Sequence, residues 1–414
     1  MMFNTKKVHP AWNIMIVLMF IQAGAAGIIV NCTGILFSAI REEMSFGAGE
    51  LSVYYLIRTL ASAAAVGGTS HLFFKYNSKI VMSVLGIIYT CSVGSMFFFN
   101  HLWQWYIAAV LNGIGMSCNM VVIPVVLSNW FNSKRGFVIG LTMSASGVAG
   151  AVFSPICAQL INFYGWRTTS LIMAAIGFCF IVLPSCKFLV SSPEEVGKSP
   201  YVTGNDMDAS ASFPSSQTHS VEPHVFVCAL LSLISVTSLI QFSQQIPIFA
   251  QTAGYSISIG AAMVSLSMIG NLLGKFGIGI LIDRLGVYRA VHLFLMGIVC
   301  SMIGYLAGSH LLFVMYLSSL AYGMVYAIGT TVPSLLFFDI YGSYYKTPLS
   351  RMQGISGLIS AFTSIMFPYM YDFTGTFHTV FVFGIGGCML SYLLFLYMQN
   401  YVRNQHKKAD DHVL

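Results

Sequence analysis

The chain has 414 residues, of which 57% are hydrophobic and only 8% charged, with a formal net charge of +6. A soluble domain carries about 25% charged residues, so this composition excludes a soluble enzyme or binding module and predicts an integral membrane protein. The basic excess asks for no nucleic-acid partner, because the lysines and arginines are spread along the chain instead of being gathered in one patch.

Apolar runs of about 20 residues, the length a helix needs to cross the hydrocarbon core, recur from end to end. They predict twelve spans, at 11–36, 51–73, 79–99, 103–128, 136–161, 168–189, 224–249, 257–281, 288–308, 311–338, 352–371 and 377–401. The first is too long, running on through Gly24 and Asn31, to read as a cleaved signal. Asn31-Cys32-Thr33 matches a glycosylation sequon, but its place inside an apolar run removes it from consideration. Gly136, Gly140 and Ser144, four apart at the start of the fifth span, predict a smooth face for close helix packing in lipid. The nine cysteines are scattered through apolar runs without metal-ligand spacing and read as small hydrophobes.

Alternate connections differ in charge. One set holds Lys6, Lys7, Lys75, Lys79, Lys134, Arg135, Lys187, Lys198, Arg284, Arg289, Lys346, Arg351, Arg403, Lys407 and Lys408, whereas the opposite set holds only Arg41 and Arg167. The positive-inside bias therefore predicts that both termini face the cytoplasm, in a multi-pass protein of the plasma or inner membrane. The longest polar interval, residues 191–223, is rich in Ser, Pro and acidic residues and predicts a loosely held cytoplasmic linker. It separates a six-helix half at 1–190 from a second at 224–401, with a cytoplasmic tail at 402–414. Two halves joined by a long linker are the organisation of transporters whose site lies between repeats near the bilayer midplane. The fold class expected is an all-α membrane protein, working as a monomer.

Within this apolar background the eighth span carries Lys275. No Asp, Glu, Lys or Arg precedes it back to Glu222, so nothing nearby in the chain neutralises it. A lysine near a helix centre costs roughly 2.5–3.5 kcal/mol to insert, so such residues usually face a cavity and mark a substrate path. Asn271 lies one turn earlier on the same helical face. The competing reading is a lysine that snorkels towards the interface, since Asp283 is only eight residues on. Arg58 interrupts the second span and reads as a second anchor for a dianion, as an outer-mouth funnel, or as a snorkelling arginine. Asn31, Asn119, Gln241, Gln244, Gln245, Tyr322 and Tyr326 sit in mid-span and suit a polar pocket, although each also reads as an interhelical hydrogen-bonding group.

Gly279, Asp283, Arg284, Gly286 and Arg289 resemble the G-x-x-x-D-R-x-G-x-x-R cytoplasmic loop motif of the major facilitator superfamily, and with twelve spans the resemblance covers essentially the whole chain. The first-half copy departs from the pattern, with Gly67 present but His71 at the aspartate position and Lys75 and Lys79 supplying the basic residues. Trp130-Phe131, Lys134-Arg135-Gly136, Gly140, Ser144, Ser146, Gly147 and Gly150 are similar to a fifth-helix segment of the monocarboxylate transporters and the related oxalate:formate antiporters. Trp12, Gly165-Trp166-Arg167 and Tyr371-Asp372-x-x-Gly375 are similar to features of the same group. In that group the eighth helix usually carries a carboxylate-binding arginine, and Lys275 stands in its place. Asn271 stands where animal members have an aspartate, and Asn31 falls about where they carry a first-helix lysine. The resemblance also implies a cytoplasmic latch in which Asp283 meets the start of the fifth helix near Lys134 and Arg135, flanked by Arg284 and Arg289.

An ammonium in a low-dielectric cavity selects anions, and a lysine lacks the planar fork that arginine offers a carboxylate. The expected function is alternating-access transport of a small carboxylate such as lactate, pyruvate or formate, with Lys275 as the proton-carrying group of a symporter. The alternatives are a carboxylate or dicarboxylate antiporter of the oxalate:formate type and a non-transporting nutrient sensor. No phosphate loop, metal-ligand cluster or mid-span acid pair supports an enzyme, so no cofactor and no metal are expected. A channel would show a repeated filter, which is lacking.

Overall fold

The structure, a computed structural model, describes residues 9–117, 119–131, 135–202, 223–308, 310–341 and 346–411. Helices account for nearly all of them, and the only β contact among the described residues is a single bridge between Phe131 and Tyr201. The chain divides into two compact units. The first takes the described residues up to Leu36 and those from Ile57 to Val202; the second takes Phe37–Leu56 and the described residues from Pro223 onwards.

In chain order, α1 (Pro10–Gln22) runs through a π-helical stretch (Ala23–Val30) into α2 (Asn31–Met44). Next come α3 (Ala48–Lys75), α4 (Ser78–Gly94), α5 (Leu102–Ser117), α6 (Asn119–Trp130) and α7 (Arg135–Phe188). Helix α7 is interrupted at Gly165, whose φ of 74° and ψ of 165° no helix contains. Glycine tolerates that conformation because it lacks a Cβ, and the break falls between the predicted fifth and sixth spans. Arg167, just beyond it, stacks on Trp166 and donates to the carbonyls of Phe97 and Phe99, which close the end of the α4 segment.

The second unit contains α8 (Pro223–Thr237), a 3-10 segment (Ser238–Gln244) and α9 (Ile246–Thr252), followed by α10 (Ile257–Leu285) and α11 (Val287–Ala307). It continues through α12 (Leu312–Tyr322), α13 (Met324–Thr330), α14 (Val332–Tyr341), α15 (Lys346–Thr374) and α16 (His378–Asp411). Each predicted apolar run falls on helical backbone. Among the described residues nine helical stretches are long and apolar enough to cross a membrane, one of which, Phe137–Phe188, covers two predicted spans. The predicted spans at 51–73 and 352–371 lie on α3 and α15, outside those nine, because charged, Ser, Thr and Gly residues dilute their hydropathy.

Each unit has its own core. In the first, Leu18, Ile21, Val122, Trp130 and Phe131 are fully enclosed. In the second, Phe242 and Phe249 meet Tyr305, Phe377 and Phe381 edge to face or tilted, arrangements that aromatic quadrupoles favour. Large apolar side chains such as Phe98, Phe163 and Phe313 point outward, 70–79% exposed, as lipid-facing residues do. The expected smooth face on the fifth span does not extend to Gly140, whose Cβ position is open. The close approach comes from the first span instead: a Cβ on Gly27 would lie 2.4 Å from that of Ala149.

The beginning of the predicted linker is held, not loose. Trp130 Nε1 donates to the Val190 carbonyl at 2.9 Å, and the Tyr201 amide donates to the Trp130 carbonyl at 2.8 Å. Trp12, Phe131 and Tyr201 pack ring to ring. Trp12 and the Trp130-Phe131 pair therefore form an aromatic clamp on the chain leaving the first unit; residues 203–222 lie outside the described residues.

Candidate functional site

Helix α10 crosses α12 on glycines. A Cβ on Gly270 would fall 1.9 Å from the Leu320 carbonyl oxygen, and one on Gly323 would fall 2.4 Å from the Asn271 nitrogen, so at both positions only glycine lets the backbones touch. This crossing fixes Asn271 inside the unit, 5% exposed, with its Oδ1 unpaired among the described residues. One turn on, Lys275 is half-buried, and no hydrogen bond or ion pair reaches it from any described residue. An ammonium and an amide oxygen on one helical face thus lack, respectively, an acceptor and a donor.

In the same unit, the seventh span is not one helix. Between α8 and α9 it tightens into the 3-10 segment, with Pro247 at the start of α9. Tyr322 serves the freed backbone, its hydroxyl donating to the Leu239 carbonyl at 2.5 Å. Tyr326, one turn further, is hydrogen-bonded to Ser243 on the same segment. Irregular backbone at membrane depth is tolerated where protein satisfies it or where it lines a cavity, and discontinuous helices build the sites of many secondary transporters.

The broken segment presents three glutamines. Gln241 Nε2 donates to Ser360 Oγ at 2.5 Å, and Gln245 Nε2 donates to Ser52 Oγ at 3.2 Å. The Gln244 and Gln245 side-chain oxygens are buried without a donor among the described residues. Asn271, Lys275, Gln241, Gln244, Gln245, Tyr322 and Tyr326 all belong to the second unit, where Tyr322 bonds the segment that carries the glutamines, and Ser52 and Ser360 bond Gln245 and Gln241. Ser52 and Ser360 carried no signal in the sequence, because single serines in apolar spans are common.

The remaining predicted substrate-binding residues belong to the first unit. Asn31 Nδ2 donates to the Ser146 carbonyl at 3.3 Å, which makes it an interhelical tie between α2 and α7. Asn119 is buried at the start of α6, and Arg58 is 7% exposed in α3. That burial removes the snorkelling reading for Arg58, since its side chain does not run along an outer surface. Gly113 of α5 packs on the Arg58 carbonyl, where a Cβ would fall 2.3 Å away. Of the latch residues, Arg284 and Arg289 are exposed on either side of Gly286, which turns the chain with φ 82°. Lys134 and the side chains of Arg135 and Asp283 lie outside the described residues.

Residues 15–345 match the family model of the Major Facilitator Superfamily. Monocarboxylate transporter 13 of Rattus norvegicus is 24% identical over 399 residues, 92% of this chain and 88% of that protein. Monocarboxylate transporter 1 of Homo sapiens is 26% identical over 190 residues, and the MFS-type transporter pynF of Aspergillus niger 23% identical over 194. In those two the matched stretch spans well under half of the relative, 36% and 42% respectively. Among solved structures, the nucleoside transporter NupG superposes with a TM-score of 0.71 at 12% identity, covering 94% of this chain and 99% of that one. A D-xylose-proton symporter gives 0.70 at 14% identity, covering 94% and 96%. Family model and fold coincide over most of the length, and the chain belongs to the Major Facilitator Superfamily, whose members are transporters and not enzymes.

Proposed function

We propose that the protein is a secondary active transporter of small organic anions, monocarboxylates such as lactate, pyruvate or formate, working by alternating access. In this reading it is a monomer of twelve spans in the plasma or inner membrane, with halves at 1–190 and 224–401. The linker at 191–223, the tail at 402–414 and both termini are cytoplasmic. The observation that carries the reading is Lys275, a half-buried cation in the C-terminal unit with no acceptor among the described residues. A carboxylate supplies the missing acceptor and cancels the cost of the half-buried charge. Asn271, Gln241, Gln245, Tyr322 and Tyr326 are proposed as further substrate-binding residues of the second unit, and Asn31, Asn119 and Arg58 as those of the first. The names of the monocarboxylate transporters among the relatives support a carboxylate cargo.

Lys275 is also the candidate proton carrier, because a half-buried lysine is least easily charged when the site is empty and is stabilised in its charged form when an anion arrives. Uptake into proteoliposomes under an inside-alkaline gradient tests both claims: a symporter accelerates net monocarboxylate entry and loses that entry in Lys275→Gln. Normal counterflow indifferent to the gradient makes the protein an exchanger, and anion binding without any flux makes it a sensor. The cytoplasmic latch is proposed as Asp283 at the start of α7 beside Lys134 and Arg135, with Arg284 and Arg289 around it. Asp283→Asn is expected to shift side-selective cysteine labelling towards the inward-open form, and labelling equal to the parent's places the latch elsewhere.

A further inference from the structure

Helix α3 begins without a cap of its own. Its N-cap position is Gly47, which has no side chain to accept a hydrogen bond from the first turn, where Ser, Thr, Asp or Asn would normally stand. Glu50 meets half of the need by accepting from the Gly47 amide at 2.9 Å, as the third residue of a capping box does. The other half comes from Asp372, 324 positions away near the end of α15. Its Oδ1 accepts from the Ala48 amide at 3.1 Å and its Oδ2 from the Gly49 amide at 2.5 Å. The carboxylate thus sits on the positive end of α3, where free N–H groups and the macrodipole favour an anion. The fit requires glycine: a Cβ on Gly49 would lie 2.9 Å from Asp372 Oδ2 and 2.7 Å from the Tyr369 ring.

Neighbouring contacts join the same two segments. The Arg41 guanidinium lies 5.2 Å over the Tyr371 ring, Gln251 Nε2 donates to Glu42 at 3.1 Å, and Gln245 Nε2 donates to Ser52. All of them fall within Phe37–Leu56 on one side and the C-terminal helices on the other, so the end of α2 and the beginning of α3 leave their own helices' unit to join the other.

We propose that Asp372 is a positioning residue of the transport cycle: it caps α3 in trans, and making or releasing that cap decides whether residues 37–56 stay with the C-terminal helices. Asp372 is exposed at the rim, so water replaces its two amide partners on release, and the exposed first turn of α3 is hydrated in turn. The contact has two states that differ by few interactions, which is what a gate needs. The proposal does not depend on which anion is carried.

The test reads the reactivity of a cysteine placed at Ser52, a buried position beneath this contact. Purified full-length protein carrying Ser52→Cys is treated with a soluble maleimide, and modification at that position is followed by peptide mass spectrometry. Asp372→Ala is expected to raise the rate about five-fold, the ratio that matches loss of one helix cap, and Asp372→Asn to raise it less. Adding Gly47→Ser to Asp372→Ala gives α3 a cap of its own without restoring the tie. In that double variant the melting temperature returns towards the parent while the labelling stays high. An unchanged labelling rate in Asp372→Ala overturns the proposal, as does a double variant in which labelling falls back together with the recovered melting temperature. If Asp372→Ala alone does not fold, the double variant and Asp372→Asn carry the same comparison.

Discussion

In the N-terminal unit Asn31 closes on the Ser146 carbonyl, the Tyr89 hydroxyl on the Ala25 carbonyl and Thr69 on Ser117, although Ser70, Ser83, Asn112 and Thr142 also keep a buried polar atom unpaired among the described residues. In the C-terminal unit Asn271, Gln244 and Gln245 keep unpaired buried oxygens, and Lys275 keeps an unpaired ammonium among the described residues. Intramembrane polar residues find partners across helices whenever they can, because lipid offers none. What sets the second unit apart is that its unmatched groups stand on or beside a broken helix, which suits the proposed substrate site. The comparison sharpens that proposal: the Asn31 amide is already held by a neighbour, whereas the Asn271, Gln244 and Gln245 oxygens are not.

The largest expected effect that would break this contrast is at Lys275. Replacing it by Gln should weaken monocarboxylate binding roughly 30-fold or more, since losing one member of a buried charge pair costs about 2–5 kcal/mol. The empty protein should meanwhile melt no lower than the parent, because an uncompensated charge has been removed. A thermal-shift titration with lactate, pyruvate and formate measures both. Equal ligand shifts in parent and variant would show that recognition lies elsewhere.

Next in size is the α10–α12 crossing. Gly323→Ala should destabilise by about 1–3 kcal/mol through overpacking, whereas Gly140→Ala, where a Cβ meets nothing within 4 Å, should leave the melting temperature unchanged. A smaller pair sharpens the division between the units. Asn31→Ala should cost about 0.6–1.7 kcal/mol of stability, the range for interhelical hydrogen bonds in a bilayer, with little change in anion affinity. Asn271→Ala should do the reverse. If both lower affinity alike, the two units share the recognition. The smallest expected effect is at the start of the linker, where Asn129→Ala removes the exposed hydrogen bond to the Ser191 carbonyl and should cost about 0.5 kcal/mol, read as a slightly lower melting temperature.

Much of the fold was legible because the bilayer demands length. Apolar runs locate the helical stretches but not all their ends, since α2 runs on to Met44 and α16 to Asp411, and Gly165-Trp166-Arg167 marks the break in α7. The seventh span was read as one helix because SLIQFSQQIP is apolar enough to continue it. What interrupts the helix is Tyr322, 83 residues away, bonding the Leu239 carbonyl. The same limit hid the role of Asp372, which looks like an acid at a span end until Gly47 is seen to need it. Lys275 and Asn271 were legible since a charge in an apolar run has few explanations. Trp12 and Trp130-Phe131 were legible as a family pattern but not as a clamp, because the pattern says nothing of Tyr201.

The unpaired ammonium of Lys275 also has an electrical consequence. With a monocarboxylate bound, the pair is neutral and feels no membrane potential; empty and protonated, the same site bears one positive charge. A full crossing of a 100 mV potential by that charge is worth about 2.3 kcal/mol, and any fraction of the field traversed counts in proportion. Voltage would therefore act on the carrier only where it returned empty and still protonated; a lysine that releases its proton together with the anion, as proton symport requires, returns neutral. Exchange of one monocarboxylate for another, which never passes through the empty form, would be electrically silent, while a charged empty return would carry current.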